Sequence, residues 1–279
     1  MKKLILLLLS IPIISLSQIE GKQHDQLILR GATIINSTGA PPLGPVDIVI
    51  EKNIITRIQN VGYPGVPINE NRRPKLSSNG VEIDCEGSYI LPGFIDTHGH
   101  IGGRSQGASP DYVFKLWMAH GVTTIREPGG SLSHKLKLEL KNKSKKNTII
   151  APRIYAFSTF NSRVKSPEEA RNWVRDNAKN GSDGIKFFGA APEIMQAAIE
   201  ENKNLGLRST SHHAQLNVVR WNVLNSARAG LNSMEHWYGL PEALFSDRII
   251  QDYPSDYNYQ NEQHRFEQAG KLWKQAAKP

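Results

Sequence analysis

After Leu91-Pro92-Gly93 the chain settles into a rhythm that few folds accept: short apolar runs alternate with stretches of helical period. The runs fall at 93–100, 122–125, within 147–157, and at 183–188, 207–212 and 231–236. Helical stretches lie between them, at about 110–120, from Ser166, at about 191–205 and at about 216–229, and a polar, more helical tail follows. Strands alternating with helices of ten to fifteen residues build a parallel sheet with helical crossovers. Ser166-Pro167-Glu168-Glu169 shows how one helix starts: a capping hydroxyl, a proline in the first turn, and two acids facing the positive end of the helix.

The part before residue 91 has a different character. Leu27-Ile28-Leu29, Ala32 to Ile35, Asp47 to Ile50 and Ile54 to Ile58 are β-branched runs separated by polar turns, which predicts an antiparallel meander. The stretch 63–80 is rich in Pro, Gly and Asn and is expected to be a loop, with strand signals resuming at Val81 to Asp84. Earlier still, Met1-Lys2-Lys3 leads into an apolar run, Leu4 to Leu16, too short to span a bilayer. Small residues before Gln18 complete a secretory signal pattern. The predicted organisation is a signal peptide over 1–17, an N-terminal β domain over 18–90 and a barrel region over 91–279. The mature protein is expected to be exported, periplasmic or secreted, with no stable membrane anchor.

Composition narrows the function. With 39% hydrophobic residues the chain can bury a real core, which excludes disordered and low-complexity classes. The single cysteine, Cys85, excludes a disulfide framework and a Cys-rich zinc module. The 34 bases and 26 acids are interspersed, and the densest basic cluster, Lys141 to Lys146, reads as a solvated loop; nothing calls for nucleic acid.

The chemistry gathers at strand ends. His98 and His100 are two apart where a strand runs out, so both imidazoles project to one side. His212-His213 end a later strand and His236 the next. Lys186 sits inside an apolar strand, on the face opposite Ile185 and Phe187. A lysine buried there is costly unless it is paired, modified, or long enough to reach water. Four strand ends carrying such groups in order favour a metal centre.

The segment Leu91 to His100 resembles the first barrel strand of the metal-dependent amidohydrolase superfamily. Leu27 to Ala32 and Asp47 to Ile58 are similar to the β-sandwich part preceding the barrel in its imidazolonepropionase-related and prolidase-like branch. His120 to Gly130, Asp183 to Lys186 and Ala229 to His236 fit the same branch. The resemblance implies an α/β fold: an incomplete (β/α)8 TIM-like barrel preceded by a small β-sandwich-type domain. It implies that His98, His100, Lys186, His213 and His236 bind one or two divalent ions, zinc by preference, with Lys186 carboxylated as a bridge. The strand-five ligand falls on His212 or His213; His213 is preferred because Ala214 follows it. The implied activity is hydrolysis of an amide or cyclic-amide C–N bond, non-peptide or dipeptide-like, in a small-molecule substrate by metal-activated water. A homo-oligomer is compatible with this reading.

One departure stands out. The family's proton-shuttling aspartate ends the eighth strand, whereas His236 ends the sixth, and Asp247, Asp252 and Asp256 follow too closely to replace it. Six βα units leave the first and sixth strands as edges, and the chain reads as the N-terminal portion of a longer enzyme. The competing reading is a catalytically inactive metal-binding fragment or pseudoenzyme. A phosphotriesterase-like lactonase is disfavoured by the β-rich section before Leu91. Arg126 and Glu127 are expected to meet substrate or pair with each other, Asp96 to support the histidines or make a structural hydrogen bond, and Trp221, Trp237 and Tyr238 to pack. His24, His134 and His264 lie in polar stretches and are expected to be exposed.

Overall fold

The structure, a computed structural model, describes residues 24–130, 132–161, 163–213, 221–244, 254–258 and 260–276. The expected signal segment, Ala214, Asp247 and Asp252 lie outside the described residues.

The N-terminal sheet holds β1 (Gln26–Ile34), β2 (Leu43–Glu51), β3 (Ile54–Asn60), β4 (Val81–Asp84) and β5 (Tyr89–Ile90). Its order is β3-β2-β1-β4, and β5 also pairs with β1. The first three strands form the expected antiparallel meander, but β4 and β5 run parallel to β1. The long loop over 63–80 makes this reversal available, because a parallel partner needs a crossover where an antiparallel one needs only a turn. Asp47, fully buried, pins the sheet: its carboxylate accepts from the Gly31 backbone N–H and from Arg30, both at 2.8 Å. Arg30 also reaches Glu82 on β4 through its Nε at 3.0 Å.

The second sheet runs β6 (Phe94–Asp96), β7 (Val122–Glu127), β8 (Arg153–Thr159), β9 (Gly184–Phe187), β10 (Arg208–His212) and β11 (Ser233–Glu235), paired in chain order and parallel throughout. Helices α1 (Pro110–Ala119), α2 (His134–Lys145), α3 (Pro167–Lys179), α4 (Pro192–Asn204) and α5 (Val223–Ala229) make the crossovers. Two further helices follow, α6 (Leu240–Ala243) and α7 (Glu262–Ala276). Ser166 caps α3 by accepting from the Glu169 N–H, as its sequence predicts. The outer face of the sheet is apolar: Ile185 and Phe187 pack among Ala170 and Val174 of α3 and Ile194, Met195, Ala198 and Ile199 of α4. Ile125, Ile154 and Ala156 pack with Phe114 of α1 in a second cluster.

Alternation sends Gly184 and Lys186 to the inner face. A side chain at 184 would have its Cβ 2.6 Å from the Phe157 ring, so the glycine makes room for that ring. The sheet is curled: His98, just past β6, meets Glu235 on β11 at 2.5 Å, although these strands are its opposite edges. The result is a curled parallel half-barrel beside a separate mixed sheet.

The structure corrects one reading and sharpens two others. Lys141 to Lys145 form the last turns of α2 rather than a loop. Leu136, Leu138 and Leu140 alternate at period two and hide the helix, but Ser133 caps it and Glu139 pairs with Lys143 one turn on, at 2.8 Å. The third barrel strand, expected within 147–157, starts at Arg153 and runs on to Thr159. Of the helix expected at about 216–229, residues 216–220 lie outside the described residues, and α5 starts at Val223, where Asn222 and Asn225 form a reciprocal capping box.

Candidate functional site

The site lies at the C-terminal ends of the parallel strands, where barrel enzymes place their chemistry. Asp96 accepts from the His98 backbone N–H at 2.9 Å and shapes the turn after β6, the structural role considered for it. That turn sets the His98 and His100 rings 5.0 Å apart and nearly perpendicular. His98 then stands 4.9 Å from His236, and His236 4.7 Å from His212, between ring centroids. His236 has φ 60°, a left-handed backbone immediately after β11 that costs a non-glycine residue on the order of 1 kcal/mol.

Two buried carboxylates stand behind this string of rings. Glu127 accepts from the Ile101 N–H at 2.8 Å and faces His100 Nδ1 at 3.2 Å. Gly130 leaves room for this pair: a Cβ would sit 2.9 Å from the Glu127 carboxylate and 3.1 Å from His100 Nδ1. Glu235 faces His98 Nδ1 with Oε2 at 2.5 Å, while Oε1 accepts from Thr210 Oγ1 and Arg126 Nη2, each at 2.5 Å. Burial raises the Glu235 carboxyl, but the hydrogen bonds from His98 and Thr210 and the Arg126 charge outweigh it and hold it at about 2. Arg126 and Glu127 therefore do not pair with each other; each supports a different part of the site.

Lys186 is 2% exposed, on the inner face in register with Thr159 and Thr210. Burial lowers its ammonium to about 8, against the opposing pull of Glu235 and Glu127.

The adjacent histidines of β10 part company. His212 shares the inner face with Thr210 and lies among Phe188, His236 and Tyr238, with centroids 4.7 to 5.2 Å away. Burial, then the neighbouring His236 and Lys186, bring it down to about 3. His213 points to the helices: its Nε2 is 2.7 Å from Ser226 Oγ on α5, and that hydroxyl accepts from Trp221 Nε1 at 2.7 Å. Sequence favoured His213 for the cluster on the strength of Ala214; strand alternation puts His212 there instead. His236 falls to about 4, chiefly by burial, so the inner imidazoles His212 and His236 are neutral near pH 7. His134 is half-buried rather than exposed, its ring 3.2 Å from Ser158 Oγ.

Among the described residues, no group of three or more His, Cys, Asp or Glu side chains is arranged to hold a metal ion. In kind the donors suit one. The inner imidazoles are neutral, and His98 and His100 each have Nδ1 held by a carboxylate, the outer support that metal-binding histidines use. Sequence reasoning missed Glu235 altogether, and considered Arg126 and Glu127 only for substrate contact or for pairing with each other. The argument that flagged Lys186, a charge on the inner face of a barrel strand, applies equally to Arg126 and Glu235.

No family model matches the chain. It is 50% identical over 105 residues to an adenine deaminase of Desulfotalea psychrophila, covering 38% of this chain and 15% of that relative. Among solved structures it is similar to a Xaa-Pro dipeptidase with methionine in its active site, at TM-score 0.53 and 21% identity over 76% of this chain and 61% of that one. It is also similar to a prolidase complexed with N-methylphosphonate-L-proline, at TM-score 0.56 and 17% identity over 76% and 60% of the two chains. The chain thus spans 15% of the length of the curated relative and about three fifths of the solved enzymes. The half-barrel and mixed sheet are thus the fold of these solved hydrolases, and a segment of 105 residues is similar to a deaminase.

Proposed function

We propose that the chain carries the metal-binding half of a hydrolase that cleaves C–N bonds in amide-like or amidine-like small molecules. The observation that carries this reading is the unbroken string His100–His98–His236–His212, with successive ring centroids 4.7 to 5.0 Å apart at the C-terminal ends of the strands. We assign His98, His100, His212 and His236 as ligands of one or two divalent ions, zinc by preference, with Lys186 as a carboxylated bridge. A divalent ion held by these residues would supply an activated water and Lewis-acid polarisation of the substrate. The chain's own residues prepare for that. Burial keeps His212 and His236 unprotonated, Glu127 and Glu235 orient His100 and His98, and the depressed Lys186 amine is available to add carbon dioxide. The adenine deaminase relative favours a heteroaromatic amine, and the dipeptidase-like fold an X-Pro amide. Hydrolysis tested on both classes decides between them.

Metal content tests the centre. Lys186→Ala is expected to lose about one ion per chain and to regain part of it with added short carboxylates. Unchanged metal content in Lys186→Ala removes the bridge. The second reading is a catalytically inactive, metal-binding fragment or pseudoenzyme; wild-type protein that binds zinc but hydrolyses neither substrate class would establish it. We also propose export, with cleavage before Gln18; N-terminal analysis of natively exported protein that still begins at Met1 would refute it.

A further inference from the structure

We propose that Arg126 is a positioning residue that fixes the tautomer of His98 by orienting Glu235. Arg126 sits at the end of β7 and reaches in three directions. Its Nε donates to the Thr97 carbonyl at 2.5 Å, its Nη1 to Ser233 Oγ at 2.8 Å and its Nη2 to Glu235 Oε1 at 2.5 Å. It therefore holds the turn that carries His98 and the strand that carries Glu235, the two edges of the curled sheet, in one frame. Thr210 Oγ1 donates to the same Oε1. With two donors on Oε1, the carboxylate can turn only Oε2 towards His98, and it does so at 2.5 Å from Nδ1. Glu235 is 3% exposed, so bulk water offers Oε2 no ready substitute.

The chemistry of that contact is one-sided. An ionised carboxylate only accepts, so the proton between the two groups belongs to His98 Nδ1, and in the neutral ring the lone pair then lies on Nε2. Arginine is needed for this because its planar guanidinium presents donors on fixed, divergent lines; a lysine ammonium is a single point that cannot satisfy Thr97, Ser233 and Glu235 together. The consequence for a bound ion, namely that His98 offers Nε2, rests on the metal centre proposed above; the tautomer does not.

The test is two-bond 1H–15N correlation of the imidazoles at pH 7.5 without metal, with His98 assigned from the signal lost in His98→Gln. Wild-type protein is expected to show His98 protonated at Nδ1 with a bare Nε2. Arg126→Lys keeps the charge but loses the fork, and is expected to shift His98 to a mixture of tautomers. Thr210→Val removes the other donor from Oε1 without touching Arg126; it is expected to cause a smaller shift and serves if Arg126→Lys does not fold. His98 protonated at Nε2 in wild type, or a tautomer unchanged in both variants, overturns the proposal. Zinc titration separates the two claims. If wild type binds zinc, Arg126→Lys should bind about 10- to 100-fold more weakly. If wild type binds none, the metal centre is refuted, and the tautomer stands or falls on the imidazole spectra alone.

Discussion

The two faces of the six-stranded sheet obey opposite rules. On the outer face Ile125, Ile154, Ile185 and Phe187 are buried against helices, and their chemistry is interchangeable provided volume is kept. On the inner face Arg126, Lys186, Thr210, His212 and Glu235 are polar or ionisable, and each depends on a named neighbour. One residue of chain, from His212 to His213, is enough to pass from one regime to the other. The difference teaches that stability is built on the helix side of this sheet while the strand ends opposite carry the candidate site.

The largest expected effect is on the outer side. Phe187→Ala should cost about 3 to 5 kcal/mol of unfolding free energy, read from denaturant midpoints, because a fully buried aromatic leaves a cavity that the helices cannot close. A loss well below 1 kcal/mol would mean that the helices do not pack on this face as described.

Acid should reveal the buried imidazoles. Unfolded histidines titrate near 6.5, whereas folded His212 and His213 titrate at about 3 and 4, so between pH 6.5 and 4 the unfolded chain binds more protons. Stability of the metal-free protein should therefore fall as pH drops through that window, with a slope that approaches about 3 kcal/mol per pH unit from these two rings. A flat profile would show that these rings are open to water.

The smallest effect sharpens the contrast. Lys186→Met in metal-free protein should be neutral or stabilising by about 1 kcal/mol, since it replaces a desolvated amine with an apolar chain of similar length. Substantial destabilisation, measured by the same denaturant midpoints, would make Lys186 a structural cation rather than a poised amine.

The sequence made much of this legible, for identifiable reasons. The half-barrel follows from βα alternation, and Lys186 stood out because a single charge interrupts the apolar run from Ile185 to Phe188. Helix α2 was hidden because Leu136, Leu138 and Leu140 mimic a strand, and its helicity comes from capping and charge pairing instead. The parallel setting of β4 was hidden because the direction of a strand after a long loop is decided by which edge of β1 is free, a tertiary fact. The contacts of Glu127 and Glu235 were invisible because their partners lie 27 and 137 residues away in sequence. Which of His212 and His213 faces the ring cluster could have been read from parity alone. Thr210 and His212 share a face, and Ser209, Ser211 and His213 the other.

That choice is also the most direct test of the central claim that the inner face holds the site. Zinc content and affinity should be measured for His212→Asn and His213→Asn beside wild type. His212→Asn is expected to lose most of its zinc binding while keeping its thermal stability, and His213→Asn to lose stability through its Ser226 contact while binding zinc as wild type does. The reverse pattern, with zinc lost in His213→Asn and retained in His212→Asn, would contradict the account.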